Sequence, residues 1–273
     1  MLESFNITSI GYSHEKSGKL CQDFSSSYSD GNCTLITACD GHGGDIYIRS
    51  HKGSEFASIA ILKALLDIES LSFKKYTHEE IMRKLKINIL CEWSRLVQED
   101  LQKHPIRKSH VKHLTQSQID TLKKSPIKAY GTTLGGAMIY GNHLICIGLG
   151  DGGAYLFKNG NLFSAFTEDE EEPVANLTYS LCSENAFEHM KARIFDMRAY
   201  DGVLLCTDGI LAPYNNVENF KRSFVNPVIT HLLDGKYNEV KQFICKLGTQ
   251  SGVGDDVSLS MILKTNTKSQ YYK

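Results

Sequence analysis

The spacing of hydrophobic residues changes several times along the chain, and each change predicts a different element. At the start, Phe5, Ile7 and Ile10 alternate with polar residues, which predicts a strand. Residues 34–39 form a short apolar run, typical of a buried strand. This run ends at a glycine-rich acidic turn that opens with Asp40 and Gly41. Loops at strand ends commonly carry functional residues, so this turn is a candidate site.

Two helices are predicted after this turn. The first covers about residues 55–68, and its inner face is predicted to contain Ile59, Ile61, Leu62 and Leu65 or Leu66. The second begins at Thr77, because the sequence Thr-His-Glu-Glu from this residue matches a capping box. Apolar residues then recur at helical spacing: Ile81, Leu85, Ile89, Trp93 and Leu96.

The second half of the chain is rich in predicted strands. Residues 134–140 and 143–149 flank a Gly-Asn pair and predict a hairpin. Further elements are a hairpin over 154–157 and 162–166, an acidic loop at 168–172, strands at 193–197, 203–207 and 257–263, and two helices between 217 and 248. No strand–helix–strand alternation is sustained, so the pattern predicts an α+β fold built on antiparallel sheets.

Composition and charge narrow the functional classes. The 273 residues carry a formal net charge of −1, which favours neither nucleic acid nor an acidic membrane surface as a partner. The eight cysteines show no CxxC spacing, so reduced thiols are favoured over a zinc site. The sequence has no leader-like start and no apolar run of bilayer length, and we expect a cytoplasmic protein. We expect one domain over residues 1–273, with a basic insert at about 103–128.

Four short acidic motifs share one local pattern, an aspartate with glycine beside it at a predicted strand end. They contain Asp40, Asp151, Asp208 and Asp255. Each motif alone is most simply a turn. If several of these carboxylates converge, their repulsion calls for divalent cations, and oxygen ligands favour Mg²⁺ or Mn²⁺. Two such ions can activate a shared water, so the residues by themselves indicate metal-assisted hydrolysis.

Together the motifs resemble the metal-dependent protein phosphatases, the type 2C serine/threonine family. The sequence Thr-Ala-Cys-Asp-Gly-His-Gly-Gly around Asp40 is similar to the family signature. The other motifs follow in the family's order: Gln22-Asp23, Gly131-Thr132-Thr133, Gly148-Leu149-Gly150-Asp151, Thr207-Asp208-Gly209 and Asp255-Asp256. The resemblance spans about residues 10–263 and implies two antiparallel sheets in a central sandwich flanked by helices. Ser13-His14 upstream of Cys21-Gln22-Asp23 resembles a divergent bacterial branch of the family.

The resemblance implies two metal ions, Mn²⁺ or Mg²⁺, held mainly by three aspartates. Asp40 would bridge the two ions, and the Gly41 carbonyl would bind one of them. Asp208 and Asp255 would complete the first metal site.

The remaining matched residues have supporting roles in the family. Asp23 would hold the waters of the second metal ion, and Asp151 would help to bind a third, weaker ion. His42 would act as the general acid that protonates the leaving alkoxide.

The sequence departs from the family at three positions. Gln22 replaces a glutamate ligand of many members, which predicts weaker binding of the second metal ion. Ala212 replaces an aspartate found in some members, which weakens the case for a third ion at Asp151. Gly18 replaces an arginine that holds the substrate phosphate in many members. The candidates to hold the phosphate here are His14, Lys16, Lys19 and Arg49.

The resemblance therefore implies hydrolysis of phosphoserine or phosphothreonine in proteins. It also implies that a cognate serine/threonine kinase produces these substrates. Two alternatives stay open. The first is a catalytically weak module that binds phosphoproteins, and the second is a phosphatase of small metabolites.

Overall fold

Ten strands lie within residues 1–69, 75–166 and 178–265, the ranges that the computed structural model describes. Their bounds are β1 Leu2–Ser9, β2 Phe24–Ser29, β3 Cys33–Cys39, β4 Leu134–Tyr140, β5 His143–Leu149, β6 Gly153–Lys158, β7 Asn161–Ser164, β8 Lys191–Asp196, β9 Gly202–Cys206 and β10 Val257–Lys264. They form two five-stranded antiparallel sheets, with the strand orders β1-β10-β9-β6-β7 and β2-β3-β4-β5-β8.

The two sheets pack face to face around an apolar layer. Successive side chains of a strand point to opposite faces, and β3 and β9 show how both faces become buried. Ile36 and Val203 lie in the layer between the sheets. Their neighbours Leu35 and Leu204 lie in two outer apolar clusters, where helices cover the sheets. The predicted sandwich of two antiparallel sheets flanked by helices is confirmed.

Helices cover both outer faces of the sandwich. Their bounds are α1 Tyr12–Ser17, α2 Ser50–Glu69, α3 His78–Lys103, α4 Gln116–Lys124, α5 Ala186–His189, α6 Asp208–Leu211, α7 Val217–Phe220, α8 Asn226–Leu233 and α9 Tyr237–Leu247. Helices α2 and α3 pack on the sheet that contains β3, and α8 and α9 pack on the other sheet. The predicted capping box at Thr77 is present, since the Glu80 amide donates to the Thr77 hydroxyl and the Thr77 amide donates to the Glu80 carboxylate.

One predicted inner-face residue is exposed, and two predicted apolar patterns end at a different residue. Ile59 was expected on the inner face of α2 but is 39% exposed, because the buried face is set by Ala57, Ile61 and Leu65. In α3 the next buried residue after Trp93 is Val97 rather than Leu96. The buried residues of this helix are spaced four apart throughout, so Val97 continues the series. Ile10 lies beyond the end of β1 and is 37% exposed. The predicted acidic loop at 168–172 lies outside the described residues.

The basic insert is more ordered than a loop. It contains α4 and two 3₁₀ turns, Lys108–Val111 and Pro126–Tyr130. Leu114 and Leu122 anchor it in the apolar cluster beneath α2 and α3. None of the described helices combines the length and apolar character that crossing a bilayer requires.

Candidate metal centre

Three carboxylates from separate strand ends meet at one edge of the sandwich. Asp40 follows β3, Asp151 lies in the turn between β5 and β6, and Asp208 follows β9. One carboxylate oxygen of each lies within 4.8 Å of the others. All three line a pocket of about 280 Å³, together with Asp23 and Asp255. The structure therefore brings together all five aspartates that the sequence singled out.

The backbone of Asp40 is held by the Gly-Thr-Thr motif, which follows α3 and the insert. The Thr132 hydroxyl and the Thr133 amide donate to the Asp40 carbonyl at 2.7 and 2.8 Å, and the Asp40 amide donates to the Thr133 hydroxyl at 3.0 Å. Gly41 lines the same pocket. A Cβ at this position would lie 2.6 Å from the Gln22 carbonyl oxygen, so the close approach requires glycine.

Asp255 belongs to a second group, in which one of its oxygens lies within 4.8 Å of ligand atoms of His14 and Asp256. Asp256 is buried and accepts from the amides of Gly11 and Gln22 at 2.7 and 2.6 Å. It also contacts His14, whose Nδ1 lies 2.9 Å from Asp256 Oδ2. Sequence reasoning missed this role of Asp256, and the only signal for it was the adjacent pair of aspartates before β10.

Asp23 is buried in the wall of the pocket. Burial raises the pKa of its carboxyl to about 8, although hydrogen bonds from Thr207 and Ser258 oppose the shift. The Thr207 hydroxyl donates to Asp23 Oδ2 at 2.7 Å. The role of Asp23 in holding metal-bound waters stays a prediction.

The pKa values of two further carboxyl groups, Asp40 and Asp208, are also raised. Burial raises the pKa of Asp40 well above its ordinary value, and the neighbouring charges of Asp23 and Asp208 raise it further. Burial likewise raises the pKa of Asp208, with further repulsion from Asp151 and Asp255. A cluster of this kind releases protons when a cation binds, because metal ligands must be deprotonated.

Gln22 gives an independent indication that a ligand belongs in this pocket. Its Nε2 donates to the Ser50 hydroxyl at 2.6 Å, which fixes the orientation of the amide. Its Oε1 is buried and has no hydrogen-bond partner among the described residues. A buried, unsatisfied carbonyl oxygen is costly. Carboxylate and amide oxygens are the donors that Mg²⁺ and Mn²⁺ prefer, so the residues present fit such an ion.

His42 lies at the rim of the pocket. Burial lowers the pKa of its imidazole, and the negative charge of Asp151 opposes that shift. Its ring packs against Tyr47, with the ring centroids 4.9 Å apart. Asp151 accepts a hydrogen bond of 2.6 Å from the Thr178 hydroxyl, a contact that sequence reasoning also missed.

The candidate phosphate-binding cations do not all reach this pocket. Among the described residues that line it, His14 and His42 are present, but no lysine or arginine. Lys19 and Arg49 line a neighbouring groove instead. The Arg49 guanidinium donates to the Asp100 carboxylate at 3.0 Å, to the Tyr130 hydroxyl at 2.6 Å and to a backbone carbonyl at 2.6 Å. The geometry therefore does not support Arg49 as the phosphate-binding residue, because these bonds engage three of its five N–H donors and it lines the groove rather than the pocket.

Comparisons with known proteins agree with this geometry. Among solved structures, a bacterial serine phosphatase is similar over 96% of this chain and 98% of its own, with 18% identity and a TM-score of 0.61. The serine/threonine phosphatase Stp1 from Staphylococcus aureus matches over 97% of this chain and 95% of its own, with 17% identity and a TM-score of 0.58. The catalytic domain of the serine/threonine protein phosphatase PstP, solved with two manganese ions, matches over 96% and 97%, with 18% identity and a TM-score of 0.57.

These identities are low and show a shared fold. No curated protein sequence matches the chain. The sequence model described as protein phosphatase 2C matches residues 10–244, which is most of the chain and includes Asp23, Asp40, Asp151 and Asp208. The chain belongs to the protein phosphatase 2C family.

Proposed function

We propose that this protein is a metal-dependent phosphatase that hydrolyses phosphoserine or phosphothreonine in other proteins. The observation that carries the proposal is the convergence of Asp40, Asp151 and Asp208 within 4.8 Å. A fold gains nothing from such crowding, because carboxylates at this distance repel one another. The arrangement is useful when cations occupy it. The substrates would be phosphorylated proteins, supplied by a serine/threonine kinase.

Each residue has a task in this reaction. When bound, two Mn²⁺ or Mg²⁺ ions would supply charge neutralisation and an activated water nucleophile. Asp40, Asp208 and Asp255 would hold these ions, with the Gly41 carbonyl and the Gln22 amide oxygen as further donors and Asp23 orienting water. Asp151, whose charge acts on His42, would contribute to a third, weaker ion site.

His42 is the candidate general acid. A serine or threonine alkoxide is a poor leaving group and needs a proton as the bond to phosphorus breaks. The buried position that lowers the pKa of His42 makes its protonated form a stronger acid. His14 is the other histidine among the described residues that line the pocket, but its Nδ1 already faces Asp256.

The test is hydrolysis of a phosphothreonine peptide by the purified protein with Mn²⁺, with Mg²⁺ and with chelator. An Asp208→Asn variant is measured beside it, and Glu184→Gln serves as a control at an exposed acid outside the pocket. Turnover that requires metal and collapses only in Asp208→Asn would support the proposal.

Two other outcomes would replace it. Metal binding without turnover of any phosphate ester would favour a regulatory module that binds phosphoproteins. Faster turnover of small phosphorylated metabolites than of phosphopeptides would favour a metabolite phosphatase.

A further inference from the structure

A groove of about 660 Å³ opens beside the carboxylate pocket. Gln22 lines both the groove and the pocket. Gly43 lines the pocket, and the next residue, Gly44, lines the groove. A peptide whose phosphate enters the carboxylate pocket can therefore continue into the groove within a few residues. Exposed Leu20 and half-buried Tyr47 provide apolar surface for the peptide chain.

The groove presents basic side chains from two separate parts of the sequence. Lys19 and Lys52 come from the N-terminal half of the chain. Another part of the lining comes from the basic insert. The imidazoles that line it are His51, His104, His110 and His113. Within the described ranges, neither Lys19 nor His113 has an ion pair or a side-chain hydrogen bond. These donors are therefore available to a ligand.

Two acidic groups face the groove, and neither forms an ion pair with Lys19 or His113 among the described residues. They are Asp45 and Asp100. Asp100 already accepts from Arg49 and from the Tyr130 hydroxyl, and its other oxygen lies 3.0 Å from His104 Nδ1. Lys52 pairs with Glu55 at 2.7 Å, but both side chains are more than 30% exposed, and pairs of this kind are weak.

We propose that this groove binds a second anionic side chain of the substrate, a carboxylate or a phosphate, a few residues from the phosphoserine or phosphothreonine. The inference rests on the proposed function and adds a substrate class, acidic or multiply phosphorylated peptides. It also gives the basic insert a role, since His110 and His113 come from it. Lys19 then contacts the flanking anion rather than the phosphate that is hydrolysed.

The experiment compares matched phosphothreonine peptides in which one flanking residue at a time is Gln, Glu or phosphoserine. The measured quantity is the ratio of kcat/KM between the anionic and the Gln peptide for one protein, so changes in basal turnover cancel. At the best position we expect a ratio of about 3–10, since exposed ion pairs contribute modestly. The ratio is expected to fall as salt is raised. The Glu and phosphoserine peptides show which anion the groove prefers.

The double variant Lys19→Gln, His113→Gln should bring the ratio close to one. Lys241→Gln, a change at an exposed lysine of α9 away from the groove, should keep the wild-type ratio. A ratio of one at every position of the wild type would overturn the inference, and so would a ratio that survives in the double variant. Hydrolysis of p-nitrophenyl phosphate separates the two failures, because loss of the phosphatase function itself abolishes metal-dependent turnover of this small ester as well.

Discussion

Replacing Asp208 with asparagine should make the metal-free protein more stable and the metal-loaded protein less stable. The carboxylate oxygens of Asp208, Asp40 and Asp151 lie within 4.8 Å of one another. At an effective dielectric constant of about 20, two charges at this distance repel by about 3 kcal/mol. Asp151 and Asp208 are exposed as whole residues, so solvent screening reduces the gain from Asp208→Asn to about 1–3 kcal/mol.

Thermal unfolding in chelator and in a Mn²⁺ series measures both effects. In chelator, the melting temperature of Asp208→Asn should exceed that of the wild type by roughly 3–8 °C. With Mn²⁺ at about 100 times its dissociation constant, the wild type should gain about 2.7 kcal/mol, and the variant far less. The wild type should therefore have the lower melting temperature in chelator and the higher melting temperature with Mn²⁺.

Glu184→Gln is the matched control, because it also removes one negative charge but lies outside the pocket. It should leave both melting curves close to those of the wild type. A variant Asp208→Asn that is less stable than the wild type in chelator would refute the repulsion argument. A variant that gains as much from Mn²⁺ as the wild type would refute the metal-ligand role of Asp208.

Three further predictions concern the same pocket. Gln22→Glu should tighten Mn²⁺ binding by about tenfold, because it turns a neutral oxygen donor into a charged one. A titration of melting temperature against Mn²⁺ concentration measures this affinity. An unchanged midpoint of that titration would contradict a ligand role for Gln22. In chelator, the free energy of unfolding should fall as pH rises from about 4 to about 8. The folded state holds the Asp23 proton up to a pKa of about 8, whereas the unfolded state loses it near 4. Denaturant unfolding at pH 5 and pH 8 tests the sign of this change, and a higher free energy of unfolding at pH 8 would refute it. His42→Gln should lower kcat for a phosphothreonine peptide by a factor of about 10²–10⁴. It should lower kcat for p-nitrophenyl phosphate much less, since that leaving group needs no proton. Equal losses of kcat on both substrates would exclude His42 as the acid.

Local sequence patterns were sufficient to predict nine of the ten described strands and the principal carboxylates. They missed β2, whose sequence Phe-Ser-Ser-Ser-Tyr-Ser contains no apolar run. The hairpin of β4 and β5 has the predicted bounds, because Gly141 supplies the positive φ of 56° that its tight turn needs. The pattern of aspartate and glycine at strand ends identified Asp40, Asp151 and Asp208 as candidates, and antiparallel pairing brings these strand ends together.

Features that depend on distant contacts were not predictable in this way. Helix α2 begins at Ser50, five residues before the predicted start, although Gly53 is a poor helix former. A Cβ at Gly53 would lie 2.0 Å from the Tyr130 carbonyl oxygen, so tertiary packing determines the residue here. The contacts of Gln22 with Ser50 and Asp256 were also not predictable, because they join residues that are 28 and 234 positions apart in the sequence.

The pairing of β1 with β10 joins residues 2–9 to residues 257–264. Proteins dominated by contacts of such long sequence separation fold slowly, because the chain must close large loops before the contacts form. Asp255 immediately precedes β10, so an early folding intermediate that lacks β10 also lacks this part of the metal centre. Mn²⁺ should then have little influence on the folding rate and should act mainly by slowing unfolding.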